Sequence, residues 1–269
     1  MIGMRTSARS TRRVGVMLAL AIATAVAPAV AQERRPGQDL GYDPAPWQAF
    51  NTDYSGRFTF VRLMVRAFSG GRGFRQRNPP WAHDYPTAET NFGKILNELT
   101  TMRPYLDGGN VLAMDDPELF KYPIAYLSEP GYWTMSEGEA ANLRDYLLKG
   151  GFLILDDFAG PEQWYYTQVA LQQLLPDHSI IRLDETHPIF DSFFHIEQIE
   201  MPHPNYGVIA SYYAIFRNND PADRMLVMIN RDNDIGDYWE WSDRGYVPIE
   251  LSNEAYKLGV NYVVYALTH

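Results

Sequence analysis

Apolar runs in this chain end, one after another, in acids. Val111–Met114 meets Asp115 and Asp116, and Ile124–Leu127 meets Ser128 and Glu129. Gly151–Leu155 meets Asp156 and Asp157, and Ile180–Leu183 meets Asp184 and Glu185. Short apolar runs separated by helical stretches read as buried parallel strands. In an open α/β sheet the ligand crevice lies beyond the carboxyl ends of such strands. The pattern therefore restricts the chain to an α/β architecture and predicts carboxylates gathered at one sheet edge. It locates a candidate site without naming a reaction.

The remaining elements follow from periodicity and punctuation. Phe58–Val65 reads as a first strand, followed by a long loop over Arg66–Tyr85 that holds Gly70, Gly71, Gly73, Pro79 and Pro80. A loop of that length in a compact domain is usually functional or mobile. The spacing of Phe92, Ile95, Leu96, Leu99 and Met102 predicts a helix over Thr87–Met102 with one buried face. Ser136 and Glu139 form a capping box for a helix that runs to Lys149 and stops at Gly150. Phe152–Leu155 is the most strongly marked strand, and Pro161 opens a helix ending near Leu175. Ser179–Leu183 and Met225–Ile229 are further strands. The stretch 191–223 is irregular, with a hairpin expected around Gly207–Phe216. Asn253 is the expected cap of a last helix carrying Ala255, Leu258, Tyr262, Val263 and Ala266 on one face. Alternating strands and helices predict a three-layer α/β sandwich.

Arg5, Arg9, Arg12 and Arg13 precede a stretch of small apolar residues, Val14–Val30, and Ala29-Val30-Ala31 fits a small-x-small cleavage rule. This predicts an export signal over 1–31, with Gln32 as the first mature residue. Thr11-Arg12-Arg13-Val14 also has weak twin-arginine character, weakened by Gly15 and Val16 where larger apolar residues are usual. A retained anchor is the lesser reading, since Pro28 interrupts a run short of the ~20 apolar residues of a span. Residues 32–56 form a Pro/Gly-rich arm that Trp47 and Phe50 are expected to dock, and 57–269 form a single α/β domain.

Of 269 residues, 23 are Lys or Arg and 33 are Asp or Glu, for a net charge of −10. The leader holds four arginines and no acid. Its removal leaves 19 basic residues against the 33 acidic ones, or −14. Such a surface repels phosphates, which makes the chain a poor partner for nucleic acid or anionic lipid. It suits cations, neutral polar ligands or basic protein surfaces. The absence of cysteine excludes a thiol nucleophile, thiolate metal sites and disulfides.

Four stretches carry candidate chemistry. Asp156 and Asp157 follow the best-marked strand and precede Gly160-Pro161, which turns the chain into a helix. They are the first candidates for a catalytic base or metal ligand. An acid at such a turn also serves as a helix cap, which explains single acids better than doublets. Trp81, His83, Asp84 and Tyr85 bring a ring, an imidazole and a carboxylate together, with His83 a candidate base or ligand; the alternative is an Asp84 cap with aromatics pinning the loop. His187 lies beside Asp184 and Glu185 and is a candidate proton shuttle, although Pro188 also marks a plain turn. Asn230–Asp243 is densest in acids and rings, including Asp232, Asp234, Asp237, Trp239 and Trp241. It reads as an acid loop for a cation or a sugar, or as an aromatic hairpin. Gly236 falls one place early for a calcium EF-hand, and the late glutamate is missing. The candidate ligand-binding set is therefore Trp81, Asp84, Tyr85, Asp115, Asp116, Glu129, Asp237, Trp239 and Trp241, with Asp156, Asp157, His83 and His187 as catalytic candidates. A nucleophile elbow, P-loop, H-E-x-x-H motif and dinucleotide fingerprint are all absent from the sequence.

The strings Trp81-Ala-His-Asp-Tyr-Pro86, Lys149-Gly-Gly-Phe-Leu-Ile-Leu-Asp-Asp-Phe158, Thr186-His-Pro-Ile-Phe190 and Asn233-Asp-Ile-Gly-Asp-Tyr-Trp-Glu-Trp241 resemble the bacterial family called domain of unknown function 4159. The resemblance extends over residues 57–269. It implies the class I glutamine amidotransferase-like superfamily and thus a flavodoxin-like, mostly parallel sheet. Trehalose-utilisation proteins of that superfamily are similar in their Gly-Gly strand and His-Pro-Ile segment. The resemblance implies no activity. Amidotransferases carry a cysteine at the nucleophile turn, whereas the region 156–160 here carries aspartates, so cysteine-based glutamine hydrolysis is excluded.

Three functions remain open from sequence. One is a periplasmic or secreted protein binding a polar small molecule, glycan or metal at the acidic, aromatic-lined crevice. Another is a carboxylate- or metal-dependent hydrolase of a carbohydrate-like substrate. The third is an interaction module for a protein partner in an envelope complex. No membrane span is expected in the mature form, and the sequence identifies no cofactor.

Overall fold

The computed structural model describes residues 44–67 and 79–269. The expected leader over 1–31, the first part of the arm, and Gly70, Gly71 and Gly73 of the long loop lie outside the described residues. Along the chain come α1 (Ala45–Gln48), β1 (Phe60–Met64), β2 (Arg66–Ala67), α2 (Thr87–Leu99), β3 (Gly109–Ala113), β4 (Ile124–Ser128), β5 (Trp133–Thr134), α3 (Glu137–Leu148), β6 (Phe152–Asp156), α4 (Gly160–Leu174), β7 (Ile181–Arg182), β8 (Ser211–Phe216), β9 (Met225–Arg231), α5 (Ile235–Glu240) and α6 (Ile249–Thr268).

Seven strands form one sheet in the order β3-β1-β4-β6-β9-β8-β7, and β2 pairs with β5 apart from it. The first five run parallel. β8 is antiparallel to β9, and β7 to β8. The parallel strands follow the 2-1-3-4-5 order of a flavodoxin-like sheet. Every residue of β1, β3, β4 and β6 is buried, because helices cover both faces. Alternate side chains feed two cores. Phe60, Tyr126, Phe152 and Ile154 pack toward α2, α5 and α6 through Phe92, Leu96, Trp239 and Tyr262. Val61, Leu63, Leu127, Leu153 and Leu155 pack toward α3 and α4 through Leu143, Leu147, Leu171 and Leu174. The result is a three-layer sandwich.

Local signals place the helices. Ser136 Oγ accepts the Glu139 amide, and the Glu139 carboxylate accepts the Ser136 amide at 2.7 Å, which starts α3. Gly150, at φ 127°, takes the chain out of it. The described part of the arm serves the sheet itself. Asn51 donates to Val111 O and accepts the Val111 amide, both at 2.8 Å, so it covers the outer edge of β3. Trp47 docks edge-on against Trp81 at 4.9 Å, whereas Phe50 is 78% exposed and docks nothing.

Several expectations are corrected. The run Ile180–Leu183 does not form a buried parallel strand. It supplies the two-residue outer strand β7, paired antiparallel, with Arg182 exposed. Leu99 is 42% exposed and Met102 lies beyond α2, so the buried stripe of that helix is narrower than its apolar spacing suggested. Asn253 sits inside α6, which starts a turn earlier, directly after Pro248. Pro248 stands at the N-cap with extended ψ and supplies no side-chain cap, and its ring keeps the helix from extending further back. The acid-rich run after β9 forms α5 rather than a hairpin, because the Asp234 side chain caps it by accepting the Asp237 amide at 2.8 Å. Among the described residues no helix is long and apolar enough to cross a membrane.

Candidate functional site: an acidic cleft at the carboxyl edge

β1 and β4 are neighbours, yet the chain leaves β1 for β3 on one side and returns to β4 on the other. Such a reversal opens a crevice beyond the carboxyl ends of the strands. Here it is a cleft of about 490 Å³. His83 and Asp84 enter it from the segment after β1, Glu129 from the end of β4, and Asp157 from the end of β6. Asp234 and Asp237 come from the start of α5, and His203 and Tyr206 reach in from the segment before β8. Backbone pairing fastens two of these loops together. Phe158 and Asn233 form a β-bridge, and Asp232 Oδ1 accepts the Gly160 amide at 2.7 Å.

The doublet after β6 divides its labour. Asp156 is fully buried beneath the cleft. Its Oδ2 accepts Tyr126 Oη at 2.7 Å and the amides of Ile235 and Gly236 at 2.9 and 3.1 Å. Its Oδ1 accepts Asn230 Nδ2 at 2.9 Å, and Asn230 in turn accepts Tyr262 Oη. Asp156 therefore anchors the first turn of α5 to the central strand. Burial pushes its carboxyl up to about 6 against those hydrogen bonds. Asp157 points instead into the cleft and accepts Ser128 Oγ at 2.9 Å. Burial pushes its carboxyl up, but hydrogen bonding and charge from His83, with Ser128 and Asp234, outweigh that and hold it below the ordinary value.

Four acids around the strand ends adopt left-handed backbone: Asp84 (φ 63°), Glu129 (φ 54°), Asp157 (φ 60°) and Asp232 (φ 58°). Each costs about 1 kcal/mol or more, a strain that concentrates at functional sites. Three of the four line the cleft. The Tyr85–Pro86 peptide beside Asp84 is cis.

The electrostatics are one-sided. His83 Nδ1 lies 2.5 Å from Glu129 Oε1 and 3.8 Å from Asp157 Oδ2. Hydrogen bonding toward Asp157 and Glu129 raises the imidazole to about 10, and the Glu129 contact is the short one. Burial lifts Glu129 to about 6 even so. Asp84 and Asp234 stand well above the ordinary carboxyl value, mainly through burial and then through the Asp157 charge. Burial raises Asp237 as well, against hydrogen bonds from Asp84 and Asp234. Among the described residues no lysine or arginine lines the cleft. Arg62 lies below, buried, where it pairs with Glu89 and donates to Trp81 O at 3.0 Å.

The cleft thus brings together His83, Asp84, Tyr85, Glu129, Asp157, Asp237 and Trp241 of the sequence candidates. The others lie elsewhere. Trp81 is fully buried and supports the arm. Trp239 is buried in the core, stacked on Phe92 at 4.5 Å. Asp115 and Asp116 follow the outer strand β3, where Asp116 caps a short 3₁₀ turn. His187 packs on Phe216, which pairs with the first residue of β9, so it sits toward the amino end of the sheet. The candidate set from sequence lacks Asp234, His203 and Tyr206 of the cleft. Asp234 lay within the acid-rich run but looked no different from its neighbours. His203 and Tyr206 lie in a stretch without periodicity, where His203-Pro204-Asn205 offered only a turn signal.

The family model described as Domain of unknown function (DUF4159) matches residues 72–267. The chain belongs to that family. The matched span contains every residue of the cleft, including the segment before β8. No curated protein matches the chain.

Proposed function

We propose that the cleft binds a polar ligand, cationic or rich in hydroxyl groups, and that the protein works in the cell envelope after export. One observation carries the binding reading: Asp84, Glu129, Asp157, Asp234 and Asp237 converge from separate chain segments on one cleft where His83 is the positive group. Burying like charges together destabilises a fold unless something neutralises them. The exposed ring of Tyr206 and the half-buried rings of Tyr85 and Trp241 at the same cleft suit a sugar face or an alkylammonium group. Export rests on the arginine-then-apolar pattern over 1–31. We also assign the fold to the class I glutamine amidotransferase-like superfamily. The strand order supports this, as does the left-handed Asp157 at the turn where amidotransferases of that superfamily carry cysteine.

The test is a thermal-shift screen of the full chain against divalent metals, amines and sugars, with Asp157→Asn run in parallel. Asparagine keeps the left-handed backbone and removes the charge. A ligand that stabilises the wild type and not the variant is the expected result. No shift with any ligand, or equal shifts in both proteins, would refute the binding reading.

A second reading, a carboxylate-dependent hydrolase, is favoured by the Asp84–Asp237 carboxyl contact beside the ionised Asp157. Acids with separated protonation states are what acid–base hydrolysis needs. Turnover of aryl glycosides or esters that disappears in Asp237→Asn would establish it. Activity surviving that change would remove Asp237 from the chemistry.

A further inference from the structure

Three groups of side chains in the cleft have ligand-capable atoms within 4.8 Å of one another: His83–Glu129–Asp157, Asp157–His203–Asp234 and Asp84–Asp234–Asp237. They are not equivalent. In the first, the imidazole already supplies the cation that the two carboxylates need. In the second, His203 Nδ1 accepts the Asn205 amide at 3.1 Å, so the neutral ring carries its proton on Nε2 and has no free lone pair to give a metal. The third consists of oxygen atoms alone. Asp234 and Asp237 are 2% and 5% exposed, and the positive charge that acts on Asp84 is the buried Arg62, which is paired with Glu89.

We propose that Asp84, Asp234 and Asp237 hold a hard divalent cation of the magnesium, manganese or calcium class. This rests on the reading of the cleft as a binding site and names what occupies its floor. One observation outside the acid cluster points to a bound group, and one within it agrees. His203 is 2% exposed, its Nε2 has no hydrogen-bond partner, and its ring lies against Asp157 and Asp234. A buried N–H of that kind calls for an oxygen acceptor, which a water or ligand oxygen on the cation supplies. Asp84 Oδ2 is likewise buried without a partner. It approaches Gly236 so closely that a Cβ there would lie 2.7 Å from Asp84 Oδ2, 2.9 Å from Tyr126 Oη and 3.5 Å from Asp234 Oδ1. An all-oxygen donor set selects hard cations over zinc or copper. The outer hydrogen bonds fit the same role. Asn205 Nδ2 donates to Asp237 Oδ2 at 2.7 Å, and the Asp237 amide to Asp234 Oδ1 at 2.8 Å, which orients two of the three carboxylates.

The experiment titrates the chelator-treated full chain with Mn²⁺, reading free Mn²⁺ by electron paramagnetic resonance, with Mg²⁺ and Ca²⁺ as competitors. The expected result is one Mn²⁺ per chain, bound at least tenfold more weakly by Asp234→Asn and by Asp84→Asn. Asp145→Asn on the far face should bind as the wild type does. Asparagine still caps α5 at 234 and tolerates left-handed backbone at 84, and circular dichroism checks that each variant folds. Absent stoichiometric binding, or unaltered binding by both cleft variants, would overturn the proposal. If Mn²⁺ fails while a sugar or amine still stabilises the wild type and not Asp157→Asn, the cation is wrong and the binding cleft stands. If both fail, both readings fall.

Discussion

Asp156 and Asp157 are consecutive residues with opposite surroundings. Beneath the sheet edge, Asp156 meets four donors, and both of its oxygens accept hydrogen bonds. Arg62 and Glu89 likewise set a buried charge against its opposite, although Arg62 Nη2 and Glu89 Oε2 have no hydrogen-bond partner. One residue further along, the cleft gathers carboxylates faster than counter-charges and leaves Asp84 Oδ2 and His203 Nε2 without partners. Buried polar groups in folded proteins are normally satisfied, and it is the gathering of unneutralised carboxylates beside such groups that sets the cleft apart from Asp156. A saturated network fixes the fold, whereas an under-neutralised one next to it is fitted for something that arrives.

The comparison can be broken most severely from below. Asp156→Ala removes the acceptor shared by the first turn of α5, Tyr126 and Asn230, and we expect a loss of at least ~3 kcal/mol in urea unfolding. A loss within ~0.5 kcal/mol would mean that the network anchors nothing.

The next effect is the pH dependence of the chelated protein. Asp84, Asp234 and Asp237 are raised, and Asp156 and Glu129 reach about 6 from 3.8 and 4.5. The folded state thus keeps protons that the unfolded chain releases above about pH 4, and stability falls as pH rises through that window. His83 adds the same sign between 6.5 and about 10, since its folded value is the higher one. Asp157, lowered, opposes them only at the acid end. Chemical unfolding in chelator should therefore show lower stability at pH 8 than at pH 5.5. A rise over that interval would mean that the cleft acids are already neutralised.

Smaller effects sharpen the picture. Gly236→Ala should push the Asp84 carboxylate aside and cost about 1 kcal/mol, with a clear loss of Mn²⁺ affinity; unchanged Mn²⁺ binding would remove the close approach of Asp84 to Gly236 from the argument. Trp241→Ala should change stability by less than ~0.5 kcal/mol while weakening any sugar or amine found in the screen. A large destabilisation would instead make Trp241 part of the core.

Much of this fold was legible in the sequence because both layers of helices cover the sheet. Strands such as Phe152–Asp156 then become continuous apolar runs, and the acids that end them mark the carboxyl edge. The capping box at Ser136 and Glu139 was readable because its partners are local. What was lost depended on distance. Nothing in the doublet itself distinguishes Asp156, held by residues 126, 230 and 235–236, from Asp157. Trp239 and Trp241 look alike in a sequence, yet the six-residue helix α5 turns the first onto Phe92 and the second toward the cleft. His203 enters the site through a turn whose position only the whole sheet fixes.

The most direct measurement is the unfolding free energy of wild type and Asp234→Asn, each in chelator and in millimolar Mn²⁺. Without metal, removing a buried like charge should make the variant more stable by about 1–2 kcal/mol. With Mn²⁺ the wild type should overtake it, because a ligand of the folded state stabilises by mass action. That crossing is the signature of a cleft built for a cation. A variant less stable than wild type in chelator, with no gain for wild type from Mn²⁺, would place Asp234 with Asp156 among the structural acids and contradict the account.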